Sequence, residues 1–251
     1  MGILNVTPDS FFDGGAYFGC GRAVLRARQM MEEGADIIDV GGASSRPGAE
    51  VVSEGEELRR VIPVVEALKG IPISIDTCNA NVARRAVEAG ACLINDISGF
   101  RNAGMRKLAG EADVDLCVMH MQGTPQNMQI NPQYPRGVVQ EIMEFFEKQV
   151  KLLVAEGVRR ERIILDPGIG FGKTPEHNIT IIKSIKQFKA FGLRVLIGVS
   201  RKSFTGKSLP ATLAIHTISM ASGADIVRVH DVKEHRQLVN FFDKFSFLAT
   251  M

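Results

Sequence analysis

The chemistry-bearing side chains of this chain recur at one kind of place, the end of a short apolar run. Asn5, Asp39, Asp76, Asn95 with Asp96, His120, Asp166, Ser200 to Ser203, and Arg228 with His230 all follow such runs. They fall into two chemical sets. Asp76, Asn95 and Asp166 supply acceptors and an amide, which suits a flat heterocycle whose N–H and NH₂ groups bind a carboxylate in bidentate fashion. Arg46, Arg228, His230 and Asn5 supply donors and an amide oxygen, which suits a phosphate or pyrophosphate accompanied by Mg²⁺. Lys202 can serve either set. Ser203, at a loop-to-helix junction, could hold an anion with backbone N–H groups. Side chains alternate along a strand, so Asn95 and Asp96 cannot both face one site, nor can Arg228 and Val229. Asp39 reads equally well as a packing or capping carboxylate. No Ser–His–Asp or Cys–His spacing suggests a covalent nucleophile.

The most informative stretch runs from Ile164 to Thr174, Ile-Leu-Asp-Pro-Gly-Ile-Gly-Phe-Gly-Lys-Thr. Its apolar start is a buried strand, and Pro167 stops both helix and ladder. Glycines at alternate positions let the backbone turn and approach a ligand. The phosphate-loop pattern fails here because proline stands at 167, and the dinucleotide pattern fails because Lys173 occupies the last glycine slot. What remains is a carboxylate at a strand end above a glycine-rich loop bearing Phe171 and Lys173.

The elements that must position these groups alternate in type. Strands are expected at 2–6, 35–40, 73–76, 92–97, 115–120, 162–165, 194–199 and 225–230. Helices are expected at 21–34, 53–68 (with a Ser53/Glu56 capping box), 80–88, 104–110, 138–156, 177–188, 211–221 and 234–245. About eight strand–helix units in ~250 residues fit a parallel (β/α)₈ TIM barrel, an α/β fold. An open doubly wound sheet would carry a glycine fingerprint after its first strand, where this chain has Asn-Val-Thr-Pro-Asp. In a barrel the strand ends above form one mouth.

Composition sets the outer limits. With 251 residues, 45% hydrophobic and 23% charged, the chain can bury a full core, and residues 1–251 read as a single domain. A net charge of +2 and the lack of a long basic run give no footprint for nucleic acid. No apolar run reaches membrane-spanning length, and no secretory signal precedes the first strand. Cys20, Cys78, Cys92 and Cys117 are scattered, so buried free thiols in a reducing cytoplasm are expected. Cys117 and His120 alone are too weak a spacing for zinc.

Asn5-Val-Thr-Pro-Asp-Ser-Phe11, Asp39-Val-Gly-Gly with Ser45-Arg-Pro-Gly48, Asp166 to Thr174, Ser200-Arg-Lys-Ser203 and Arg228-Val-His-Asp-Val232 together resemble the dihydropteroate synthase family. The resemblance covers nearly the whole chain in order, and the motifs are specific as a set. It implies a folate-pathway transferase that joins 6-hydroxymethyl-7,8-dihydropterin diphosphate to 4-aminobenzoate, releasing pyrophosphate. By the same resemblance Asp76, Asn95, Asp166 and Lys202 hold the pterin, and Lys202, Arg46, Asp76 and Asp166 carry the catalytic role. Asn5, Arg46, Arg228 and His230 hold the diphosphate, with Asn5 also a ligand of Mg²⁺. Ser45, Pro47, Phe171, Lys202 and Ser203 form the aminobenzoate site. The loops at 6–15 and 42–48 become a mobile pair, Phe11 and Asp13 contributing. Sulfonamides are the implied inhibitors and a homodimer the implied assembly.

Departures from the family pattern accompany the match. Ala43 stands where an acidic or amide residue is usual, Ser45 where threonine is frequent, and Phe12 where a small residue is usual. The chain opens directly on its first strand, which points to a trimmed synthase or to the synthase part of a longer chain. Two other readings share the pterin carboxylates: a pterin-dependent methyltransferase, which has no use for Ser200 to Ser203, and a non-catalytic pterin-binding homologue, which only Ala43 favours.

Overall fold

A computed structural model describes residues 1–7, 16–44, 46 and 48–249, of which 16–19 and 245–249 are described as backbone alone. Eight parallel strands pair in sequence order: β1 (Gly2–Asn5), β2 (Ile38–Gly41), β3 (Ile73–Asp76), β4 (Leu93–Asp96), β5 (Asp115–Met119), β6 (Ile163–Asp166), β7 (Arg194–Ile197) and β8 (Ile226–Val227). A parallel bridge from Gly2 to Val229 joins the last strand's extension to the first and closes the barrel, with Ile3 N–H donating to Val229 O at 2.9 Å. The helices are α1 (Ala16–Glu32), α2 (Glu54–Ala67), α3 (Ala80–Glu88), α4 (Ala103–Glu111), α5 (Val138–Ala155), α6 (Pro175–Lys183), α7 (Ile185–Lys189), α8 (Leu209–Ala221) and α9 (Val232–Ala249). The fold is the expected (β/α)₈ barrel.

Alternation along the strands divides the apolar residues into two layers. Leu4, Ile38, Val40, Ile73, Ile75, Ile94, Leu116, Val118, Ile163, Leu165, Val195 and Ile197 face the helices and form the large core. Met1, Leu93, Cys117, Ile164 and Leu196 form a separate small cluster along the barrel axis. That inner parity then continues upward in polar residues. Asn5, Gly41, Asp76, Asn95 and Cys117 lie in register across β1 to β5, and Met119 lies opposite Asp166. The axis is therefore apolar below and ionisable at the mouth.

Several local expectations change. Helix 177–188 is two pieces broken at Ser184, and the first helix begins at Ala16, earlier than its periodicity suggested. The eighth strand is two residues long; at its N-terminal side the Asp225 carboxylate takes Val195 N–H at 2.7 Å and Lys189 Nζ at 2.7 Å, and past its other end Arg228 N–H still donates to Ile197 O at 3.0 Å. Ser53 does cap α2 through Glu56 N–H at 3.3 Å. The reciprocal half is missing because the Glu56 carboxylate binds Arg60 at 2.7 Å and Arg59. A complete capping box forms at Thr174 and His177. All four cysteines are free, but only Cys117 is buried; Cys20 is half-buried, and Cys78 and Cys92 are exposed.

Candidate active site

Each functional side chain is positioned by the step from strand to loop. On β6, Asp166 is 7% exposed and accepts Gly168 N–H at 2.7 Å, which turns its carboxylate toward the axis. Gly168 has φ +69°, and a Cβ there would lie 1.9 Å from His120 O, so only glycine allows this turn. The loop is strapped from the β5 side. Gln129 Nε2 donates to Gly170 O and Tyr134 Oη to Gly172 O, both at 2.7 Å, while Gly170 N–H donates to Asn178 Oδ1 at 2.8 Å.

Lys173 is buried, not solvated. Its ammonium donates to Phe171 O at 2.9 Å and His120 O at 3.2 Å and lies 3.1 Å from His120 Nδ1. Burial lowers it to about 7, against the pull of the Asp166 carboxylate. Burial, with Lys173 and Arg101 beside it, takes His120 down to about 2, so that ring is a neutral acceptor. His120 thus anchors the loop lysine.

Across the mouth, Arg228 reaches between two carboxylates. Its Nε lies 2.5 Å from Asp39 Oδ2 and its Nη2 2.7 Å from Asp76 Oδ2. Asn95 Nδ2 donates to the same Asp39 oxygen at 3.1 Å. Asp39 is fully buried, and its Oδ1 and the neighbouring Ser74 Oγ have no hydrogen-bond partner among the described residues. Burial raises Asp76 to about 7; Arg228 opposes the rise, and Asp39 reinforces it. Burial likewise raises Asp166, with the Gly168 N–H and Arg228 opposing. Burial opposes the charge on Arg228, but Asp39 and Asp76 outweigh it and hold the guanidinium firmly ionised. Asp96 points the other way and caps Ser98 and Phe100, as alternation requires.

The β7 and β8 loops bring the cationic half. Lys202 Nζ sits over the Phe171 ring, 4.1 Å from its centroid. Burial and Arg228 lower it to about 8, with Asp166 and Asp76 opposing. Ser200 Oγ accepts His230 N–H at 3.2 Å and lies 2.9 Å from His230 Nδ1. In the tautomer with the ring proton on Nε2, the Ser200 hydroxyl donates to Nδ1 and Nε2 is a donor toward the mouth. Burial together with Arg201 and Arg228 lowers His230 to about 4, so the ring is neutral at pH 7.

Of the residues singled out from sequence, Asp76, Asn95, Asp166, Phe171, Lys202, Arg228 and His230 share the mouth. Asn5 closes β1 on the same parity, half-buried. Arg46 and Ser203 are exposed at the rim; Arg46 N–H bonds Ser44 Oγ at 3.4 Å. The neighbouring Gly48 N–H bonds Pro125 O at 3.3 Å, docking that loop on the β5 loop. Phe11, Asp13, Ser45 and Pro47 lie outside the described residues. Sequence reasoning left Asp39 undecided and missed Ser200 as the partner of His230. The parity of Asp39 with Gly41, which aligns with Asp76, carried the first signal; the second pairing spans 30 residues and left none.

Comparison with known proteins agrees with this geometry. The family described as "Pterin binding enzyme" matches residues 1–230. The dihydropteroate synthase of Synechocystis sp. is 46% identical over 256 residues, covering 97% of this chain and 88% of the relative. That of Escherichia coli K12 is 45% identical over 245 residues, covering 93% and 86%. Among solved structures, Yersinia pestis dihydropteroate synthase with a sulfonamide drug superposes with a TM-score of 0.92 at 41% identity, covering 98% of this chain and 93% of that one. The Xanthomonas albilineans synthase in complex with 7,8-dihydropteroate gives 0.87 at 36% identity, covering 98% and 92%.

Proposed function

The chain belongs to the pterin-binding enzyme family, among its dihydropteroate synthases, and on that premise we propose how its own residues divide the work. The reaction condenses 6-hydroxymethyl-7,8-dihydropterin diphosphate with 4-aminobenzoate to 7,8-dihydropteroate, in folate biosynthesis. The C–O bond to the diphosphate breaks, the aminobenzoate nitrogen bonds to the exocyclic carbon, and that nitrogen sheds a proton. One observation carries the assignment: a carboxylate-lined floor and a cationic rim meet at one barrel mouth.

Asp166 keeps one oxygen on Gly168 N–H and offers the other to the pterin's amino-pyrimidinone edge, with Asp76 and Asn95 beside it. Both carboxylates also stabilise positive charge that develops on the ring as the leaving group departs. Arg228, held between Asp39 and Asp76, fixes the direction of the Asp76 carboxylate and sends its field toward the diphosphate. His230 Nε2–H, Lys202 and Arg46 take the anion's oxygens. Phe171, under the Lys202 ammonium, walls the aminobenzoate side with Ser203, and the family resemblance assigns Ser45 and Pro47 to the same subsite. Since aminobenzoate arrives as a neutral amine, no strong base is required.

Mg²⁺ fits this arrangement as a diphosphate-borne ion. The described residues hold no cluster of three or more His, Cys, Asp or Glu that would cage a metal by itself. Asn5 presents a neutral amide oxygen at the end of β1, the type of single protein ligand that Mg²⁺ takes alongside substrate phosphates. When bound, the ion neutralises charge on the leaving diphosphate. A homodimer and a cytoplasmic location complete the reading; no described helix is long and apolar enough to cross a membrane.

Calorimetry with free 6-hydroxymethylpterin tests the floor. A hydrogen bond to a charged group contributes about 1.5–3 kcal/mol, so Asp166→Asn should weaken binding by roughly 10- to 100-fold. Unchanged affinity in the folded variant would remove Asp166 from the pterin site.

A further inference from the structure

Outside the barrel wall, below the anion end of the site, two histidines touch each other and have no part in the scheme above. His216 on α8 is fully buried and His235 on α9 is 2% exposed; their rings lie 4.9 Å apart in a T-shaped arrangement. They complete a continuous hydrogen-bonded chain. Val199 N–H donates to His216 Nε2 at 3.4 Å, His216 Nδ1 lies 2.9 Å from His235 Nε2, and His235 Nδ1 lies 2.6 Å from Asp231 O.

The protons in that chain have one consistent arrangement for neutral rings. A carbonyl only accepts, so His235 carries its proton on Nδ1 and accepts at Nε2; His216 must then donate from Nδ1 and accept at Nε2. The reverse order, with His216 donating to the nearby Ile197 carbonyl, would set two acceptors face to face between His235 and Asp231. Burial lowers both rings, His216 to about 3, in keeping with neutral imidazoles.

Both ends of the chain lie next to substrate-facing residues. Val199 precedes Ser200, the partner of His230, and its carbonyl accepts Lys202 N–H at 3.2 Å. Asp231 follows His230, and its carboxylate binds Arg201 at 2.8 Å. We propose that His216 and His235 are positioning residues, a proton-ordered tether that sets the distance between the 199–203 turn and the 230–231 turn and so aims Lys202 and His230 at the leaving anion. The effect on substrate rests on the synthase reading; the tether itself does not.

His216→Phe keeps a ring in place and removes both nitrogens. Misplacing a group by a fraction of an ångström is felt strongly at such a site, so kcat/KM for the pterin diphosphate should fall about tenfold. Binding of inorganic pyrophosphate should weaken by a similar factor, while free hydroxymethylpterin binds within about twofold of wild type. Unchanged pyrophosphate affinity in the folded variant, or an equal loss of pterin affinity, would overturn the proposal. Should the variant not fold, ¹H–¹⁵N spectra of the wild type decide. Two slowly exchanging Nδ1–H protons are expected; an Nε2–H on either ring would refute the ordered tether. A wild-type protein that passes these tests yet makes no dihydropteroate would count against the synthase reading alone.

Discussion

Replacing Arg228 by methionine removes the cation shared by two carboxylates while keeping an unbranched stem in its space. Arg228 lies 2.5 Å from Asp39 and 2.7 Å from Asp76, whose side chains are 0% and 15% exposed. Removing one partner of a buried pair costs about 3–5 kcal/mol, because the charge left behind keeps its desolvation penalty. In a chain of this length each kcal/mol moves Tm by roughly 2–4 °C, so a drop of about 6–20 °C is expected at pH 8. The pH dependence is the sharper test. Burial holds Asp76 at about 7 in the folded protein against an ordinary value of 3.8, and Arg228 restrains that rise. A carboxyl raised on folding binds more protons folded than unfolded, so its contribution to stability falls as pH climbs from 3.8 through about 7. Without the arginine this window extends further upward. At pH 6 the variant's Asp76 keeps more of its proton than at pH 8, so less uncompensated charge is buried. Calorimetric Tm differences from wild type should therefore be clearly larger at pH 8 than at pH 6. A deficit under about 2 °C at pH 8, or equal deficits at both pH values, would refute the reasoning.

Lys202→Ala should lower turnover by two or more orders of magnitude with little change in Tm, since the half-buried ammonium serves substrates more than packing; steady-state kinetics beside a melting curve check it. Gly168→Ala forces a Cβ to within 1.9 Å of His120 O at φ +69°, so the variant should lose well over 3 kcal/mol in denaturant titration or fail to fold. Phe171→Leu keeps apolar bulk but loses the ring under Lys202; aminobenzoate KM should rise several-fold while pterin affinity holds, as read by initial rates.

Much of the fold was legible because strand, loop and helix alternate with clear periodicity, and β3 and α3 fall where the pattern put them. The polar strand ends pointed to the mouth before any geometry was known. What the pattern could not show were pairings fixed only by closure. Arg228 meets Asp39 across 189 residues and Asp76 across 152, distances over which no local spacing applies. The helix break at Ser184 was hidden because apolar residues continue on both sides of it, Ile182 and Ile185 both being buried. Lys173 read as a loop lysine; only the closeness of the β5 end makes it a buried anchor. His216 and His235 sit on separate helices whose periodicity marks a buried face without saying which polar groups meet there.

Pyrophosphate release from the purified protein, supplied with the pterin diphosphate, 4-aminobenzoate and Mg²⁺, addresses the central claim most directly. The account predicts release that requires both organic substrates, falls when Mg²⁺ is chelated, and is suppressed competitively by a sulfonamide. Tight pterin binding with no release, even with all three present, would contradict it.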